Sequence, residues 1–228
     1  MKRIPIILIV ICLALALCPF RAAVAGEKET AKVEEALNVW TQIEGIPEES
    51  IPDWMLKNAY AVAVIPHVIK AGFVVGGRYG WGVLSVRSSK GGTWSPPIFV
   101  SLTGGSFGWQ IGVEAVDVIL VFKSSKSIDK ITEGRFTLGV DANVSAGPVG
   151  RSASAGTEAE LRSEVYSYSR SRGLFAGATI EGALLKVDDD ANRAFYGAAG
   201  EKAGNVFKGD VKIPEPAEAF VSALNKTQ

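Results

Sequence analysis

SYSRSRGLFAGATIEGALLKVDDDANRAFYG, residues 167–197, is the stretch from which the rest of the chain can be read. It opens in alternation. As a strand it would point Tyr166, Tyr168, Arg170 and Arg172 to one face and Ser167, Ser169 and Ser171 to the other. Gly173, Ala176, Gly177, Ala178, Gly182 and Ala183 follow, a run with little side-chain bulk. Such a run admits a sharp bend or the close approach of another backbone. Asp188, Asp189 and Asp190 then precede ANRAFYG, which reads as a short helix with an acidic N-terminus. The aspartates lack the alternate spacing and the glycine of a calcium loop, so capping is their plainer role.

Outward from this stretch the strands continue. Residues 61–65, 72–77, 80–87, 98–102, 105–112 and 115–122 are rich in Val, Gly and aromatics, with Pro66 ending the first. Turn signals fall at 76–77, 88–92 and 104–105. GGRYGW at 76–81 returns as GGSFGW at 104–109, the pattern of two hairpins bent alike at paired glycines. Residues 127–134 read as a helical interruption. Residues 135–146 return to strand, with Phe136, Leu138, Val140, Ala142 and Val144 alternating, and 147–157 reads as a loop. The strands of the opening stretch cover 161–172 and 174–187. Strands this close together imply an antiparallel sheet, not a βαβ repeat.

Helices flank the strands. Residues 26–45 place Val33, Ala36, Leu37, Trp40 and Ile43 on one stripe, and Gly45 and Pro47 stop the helix. With Trp40 as anchor and Leu37 beside it, this would be a membrane-surface helix; the alternative is a helix packed on the domain. Its polar face favours packing, with Glu27, Glu29, Glu34, Glu35 and Glu44 against Lys28 and Lys32. A second short helix is expected over 51–59 and a terminal one over 214–224.

The fold class that follows is α+β. It is a single domain in which a Gly-rich, strongly bent antiparallel sheet, barrel-like or folded over, carries N-terminal helices and a C-terminal helix. Residues 1–25 stand outside it. Lys2 and Arg3, an apolar run over 4–17 and Ala23-Val24-Ala25 have the form of a signal peptide cleaved after Ala25. The domain plan is therefore a signal over 1–25, helices over 26–59 and the sheet domain with its terminal helix over 60–228. A retained anchor is the alternative. A lipoprotein is disfavoured because Leu17, not a small residue, precedes Cys18. Cys12 and Cys18 both lie in the leader, so the exported chain is held by its core alone.

Cleavage removes Lys2, Arg3 and Arg21 and no acid. That leaves 21 bases against 24 acids, a net charge of −3, which argues against a nucleic-acid binder. Catalytic motifs are weak. GGSFG at 104–108 fits a nucleophile elbow on Ser106, but the single histidine, His67, precedes it, and only the order Asp53…His67…Ser106 survives. One histidine and no cysteine give little for zinc or iron, and the glycine pairs do not fit phosphate loops. No enzyme, cofactor or metal is expected. Lys70, Arg78, Lys123, Lys126, Arg170 and Arg172 fall at strand ends or near turns. They would hold a phosphate or lipid headgroup, or serve as solvated edge charge.

AVAVIPHVIKAGFVVGGRYGWGVL, WSPPIFVSLTGGSFGWQIG, DVILVF, FTLGVDANVSAGPVGR and the opening stretch together resemble the SYLF domain family. The resemblance runs from about residue 60 to 197. It implies a lipid-binding domain, described also as the actin-binding domain of endocytic adaptors. Eukaryotic relatives bind phosphoinositide-containing membranes, partly through a helix at the domain's N-terminal edge, and some bind and bundle actin. With a signal peptide and no adjoining SH3 or FYVE-type module, this chain is more similar to exported bacterial members. The implied role is non-enzymatic binding of phospholipid or a membrane surface in the periplasm or outside the cell. The alternative is a protein-interaction module, with actin a partner as in the eukaryotic relatives. The implied headgroup set is Arg170, Arg172, Lys70, Arg78 and Lys123.

Overall fold

The computed structural model describes residues 26–46, 50–87, 92–150, 163–171, 174–177 and 180–226, with the backbone alone at 72–75, 106–113 and 174–177. Its frame is one long ribbon. Strand β1 (Ala61–Val86) pairs antiparallel with β2 (Ile98–Phe122) from Ala61↔Phe122 to Leu84↔Ile98. The six short strands expected here are two continuous ones. Pro66 does not end β1, because a register shift between Ile65 and Val68 absorbs it, and a second shift falls between Gly72 and Val74. The glycines of the echoed hexapeptides are not turns either. Gly77 lies opposite Gly105 and Arg78 opposite Gly104, so both copies sit on the two strands of a single ribbon. Lacking Cβ atoms, they let the ribbon bend without breaking its ladder.

The ribbon is folded over on itself. The carbonyl of Tyr60, just before β1, accepts the N–H of Arg87, just after it, at 2.7 Å. Where the halves of β1 cross, Gly82 lies against the backbone of Val64 and Ile65. The free side of β2 takes two further strands. Its first half pairs with β7 (Ala183–Val187) and its second half with β5 (Val165–Ser171). The edges carry β3 (Phe136–Thr137) on β7, and β4 (Val144–Ala146) and β6 (Leu174–Gly177) on β5. This makes a seven-stranded sheet, antiparallel except for β4 against β5. The single strand expected over 135–146 is interrupted. Gly139 has a φ of 83°, and Val140 sits in the turn, 79% exposed, while Phe136, Leu138, Ala142 and Val144 point inward.

Both faces of the sheet are buried, which is why AVAVI at 61–65 is apolar throughout. The inner core holds Ala61, Ala63, Ile65, Leu84, Leu120 and Phe122 with Ile128 and Ile131 of α3 (Ser125–Thr132). The outer core holds Val62, Val64, Val83, Phe99, Ile119 and Val121 under the terminal helices. Helix α1 (Glu27–Glu44) buries Val33, Ala36, Val39, Trp40 and Ile43 there. Helix α2 (Asp53–Lys57), shorter than its pattern, adds Met55 and Leu56; α6 (Glu215–Lys226) adds Phe220 and Leu224. Helix α4 (Asp189–Tyr196) starts as its aspartates foretell: Asp188 Oδ1 accepts the N–H of Ala191 at 3.0 Å. A 3-10 turn (Ala198–Glu201) and helix α5 (Ala203–Lys208) follow, where no pattern announced them. The expected fold class is the one observed.

Candidate functional site

The basic residues singled out in the sequence are spread along the ribbon. Register fixes their levels: Lys70 pairs with Glu114, Arg78 with Gly104, and Arg170 with Asp117, while Lys123 follows the end of β2. Six positions on β2, about 20 Å of strand, separate Asp117 from Lys123. Arg172 lies outside the described residues. Lys123 therefore stands apart from Arg170, while Lys70 and Arg170 sit three rungs apart on either side of β2.

Arg170 does share a face with Tyr166 and Tyr168, as alternation requires. Both tyrosines are buried in the outer core, and Arg170 sits at its rim, its side chain 25% exposed. The Tyr168 hydroxyl donates to Met55 Sδ at 2.9 Å, and burial pushes its pKa up. The guanidinium Nη1 of Arg170 stands 3.9 Å from Asp117 Oδ2. Asp117 Oδ1 accepts the backbone N–H of His67 at 3.0 Å, in the β1 bulge where His67 has a φ of 52°. His67 Nδ1 lies 3.7 Å from Glu35 Oε2, and Glu35 is bonded to Lys32. On the neighbouring rung Ser171 Oγ donates to Glu114 Oε1 at 2.8 Å. The result is a polar seam from Lys32 through Glu35, His67 and Asp117 to Arg170, which His67 joins by its ring on one side and its backbone N–H on the other. An anion approaching Arg170 must compete with carboxylates already in place.

The remaining cations differ. Lys123 is exposed, its Nζ 5.9 Å from the centre of the Tyr166 ring. Arg78 is half-buried; its Nε is shielded from water and has no acceptor, and burial pulls its pKa down. Among the described residues no ion pair joins it to an acid.

Trp40 and Leu37 are corrected as membrane anchors. Trp40 is 1% exposed, and Leu37 packs against the outer core beside it. The lysines of α1 turn inward as well: Lys28 Nζ lies 4.4 Å and Lys32 Nζ 5.5 Å from the centre of the Trp81 ring. The helix spends its apolar stripe on the sheet, because Val33, Ala36, Trp40 and Ile43 find Val62 and Val64 there. Among the described residues no helix is long and apolar enough to cross a membrane.

The nucleophile order finds no geometry. Ser106 pairs with Gly76 near the bend, whereas His67 faces Asp117 on another stretch of β2. The three aspartates line an open cavity of about 590 Å³ with Lys186, Arg193 and Lys202, but Asp188 is occupied as a cap. Among the described residues no three His, Cys, Asp or Glu side chains are grouped to hold a metal.

Sequence reading missed the pairing of Arg87 with Trp94. They form an isolated antiparallel bridge, and the guanidinium lies 4.6 Å from the centre of the indole ring. The turn signal was the available clue, since it sets these residues opposite each other. The Asp117–Arg170 pair had no such clue, because β2 and β5 are joined by more than forty residues of chain.

The fold has known relatives. The family model described as "Ysc84: Las17-binding protein actin regulator" matches residues 103–227, from the middle of β2 through α6. The chain is similar to "Protein YSC84" of Saccharomyces cerevisiae, 38% identical over 207 residues, which cover 90% of this chain and 43% of that protein. It is 37% identical over 180 residues to "LAS seventeen-binding protein 3" of the same species, covering 78% of this chain and 39% of that one. To "SH3 domain-containing YSC84-like protein 1" of Mus musculus it is 33% identical over 202 residues, covering 87% and 58%. The matched part of the chain thus spans between 39% and 58% of the length of these curated relatives. The family model and one of these relatives are named for binding Las17, and the family model also for actin regulation. The chain belongs to the Ysc84 family, the family of the SYLF domain.

Proposed function

We propose that this chain is a non-enzymatic binding domain whose ligand is a protein, docked along the outer edge of β1. The observation that carries the reading is the match of residues 103–227 to a family described by Las17 binding and actin regulation. Ile69 and Tyr79 supply the surface. They are 47% and 55% exposed on β1, which pairs with β2 on its other side. They stand ten residues apart on β1, opposite Ala115 and Thr103, and an exposed tyrosine and an exposed apolar residue on one strand suit a protein surface or an added strand. The form of residues 1–25 supports export, with cleavage after Ala25, so the domain would meet its partner in the bacterial envelope or outside the cell.

Anionic phospholipid is the second reading, and Arg78 favours it as a partly desolvated cation with no acid partner among the described residues. Lys70 and the exposed Lys123 would add charge, with Arg170 and Arg172 in support.

The two are separated by sedimenting residues 26–228 with actin filaments and, in parallel, with neutral and anionic vesicles. The expected result is pelleting with filaments, lost when Ile69→Ser is combined with Tyr79→Ser. Pelleting with anionic vesicles alone, weakened by Arg78→Gln, would replace the protein reading with the lipid one. Pelleting with neither would remove both.

A further inference from the structure

We infer that the cavity between the turn end of the ribbon, α3 and α5 binds a small carboxylate with an apolar body. Its volume is about 740 Å³, in the range of small-ligand sites. Its walls include Tyr60, Val86, Arg87, Trp94, Ile128 and Phe207. Val86 is the last residue of β1, but neither Ile69 nor Tyr79, proposed for a protein partner, lines the cavity.

The argument rests on three donors. Arg87 uses one end of its guanidinium: Nη1 donates to the carbonyl of Lys57 at 2.8 Å. Its other edge, Nε and Nη2, is shielded from water and has no acceptor among the described residues. These two N–H bonds lie parallel, at the spacing of the two oxygens of a carboxylate. The indole N–H of Trp94, in the same wall, is likewise buried with no acceptor. Buried donors are rarely left unmade, and all three belong to two residues that line this cavity. Among the described residues no carboxylate pairs with Arg87. Burial also pulls its pKa down, as expected of a cation in want of a counter-charge.

The indole face holds the guanidinium plane. Taking the ligand requires the guanidinium to turn over that face, at the expense of its bond to Lys57, so that the shielded edge opens into the cavity. Val86 and Ile128 are buried apolar walls and Phe207 is a half-buried one, so the ligand carries a hydrocarbon part beside its acid. Asp129 and Lys208, both exposed, stand at the rim with opposite charges and leave Arg87 to set the sign inside.

Calorimetry on residues 26–228 tests this with three probes: decanoate below its micelle concentration, acetate, and decyltrimethylammonium. Saturable binding of decanoate is expected, with acetate at least about tenfold weaker and the cation unbound. Arg87→Gln should weaken decanoate by about tenfold or more. Because Arg87 also caps α2, a second variant is needed. Gly204 lines the cavity on α5, and a Cβ there meets nothing within 4 Å. Gly204→Leu should therefore fold and fill the cavity, with the same loss of binding. No decanoate binding to the unaltered chain would overturn the inference. So would equal binding of the cation, or decanoate binding that survives both variants.

Discussion

Asp117 is the pivot between Arg170 and His67. One carboxylate oxygen faces the guanidinium at 3.9 Å, and the other takes the His67 backbone N–H at 3.0 Å. It holds the β1 bulge closed on one side and fixes an arginine of β5 on the other. Arg170 is thereby part of the framework before it is available to any ligand.

Asp117→Ala should cost about 1–3 kcal/mol, because it removes the acceptor of a bulge N–H as well as the arginine's partner. Arg170→Gln should cost less, up to about 1 kcal/mol, since a 3.9 Å pair at a partly exposed rim is screened. Arg170→Glu would set a third acid near Asp117 and Glu114, so any binding defect it shows must first be corrected for stability. Urea titrations check the order; an unchanged midpoint in Asp117→Ala would remove the pivot.

Gly82 is where the folded ribbon leaves no room. A Cβ there would stand 2.2 Å from the carbonyl oxygen of Val64 and 2.6 Å from the Cα of Ile65. Backbone cannot yield as a side-chain tip can, so Gly82→Ala should cost about 3 kcal/mol or more. Gly105→Ala is the control, with nothing within 4 Å of its Cβ, and should stay within about 0.5 kcal/mol. Thermal melts of both variants decide; equal melting temperatures would mean the strand halves do not cross as described.

Trp40→Ala should destabilise by about 3–5 kcal/mol, the range for a large core aromatic. A lipid-facing tryptophan would give a different result, with stability kept and vesicle affinity reduced. Chemical denaturation and vesicle flotation on the same variant distinguish the two.

Asp141 supplies an acid-limb test. The backbone N–H of Thr137 at 2.7 Å, then Lys130 at 3.0 Å, hold its carboxyl below the usual carboxylate range. A lowered folded pKa means the contribution is complete above the unfolded value, about 4, and is lost as pH falls through the folded one. Asp141→Asn should lose less stability than the unaltered chain between pH 5 and pH 2, read by urea midpoints across that window. Parallel curves would assign the acid limb elsewhere.

Much of this molecule was legible in short range. The 3.6-residue spacing of Val33, Ala36, Trp40 and Ile43 marks a helix and its buried side. Asp188 before ANRAFYG marks a cap, and alternation at Tyr166, Tyr168 and Arg170 marks one face of a strand. These signals are local because they arise from backbone geometry over a few residues. Their reading of Gly76, Gly77, Gly104 and Gly105 as turns fails for the same reason. A glycine permits a turn or a bend, and only the partner across the ladder selects between them.

The sequence alone determined an α+β chain with a Gly-rich bent sheet, helices at both ends, and a family resemblance carried by residues about 60 to 197. Tertiary structure alone decided that β1 is one strand crossing itself at Gly82, and that Trp40 belongs to the core. It also decided that Arg170 is answered by Asp117, while the Nε–Nη2 edge of Arg87 is left unanswered. Periodicity reports which face a residue occupies. What stands opposite that face depends on strands brought together from distant parts of the chain, and no local spacing encodes it.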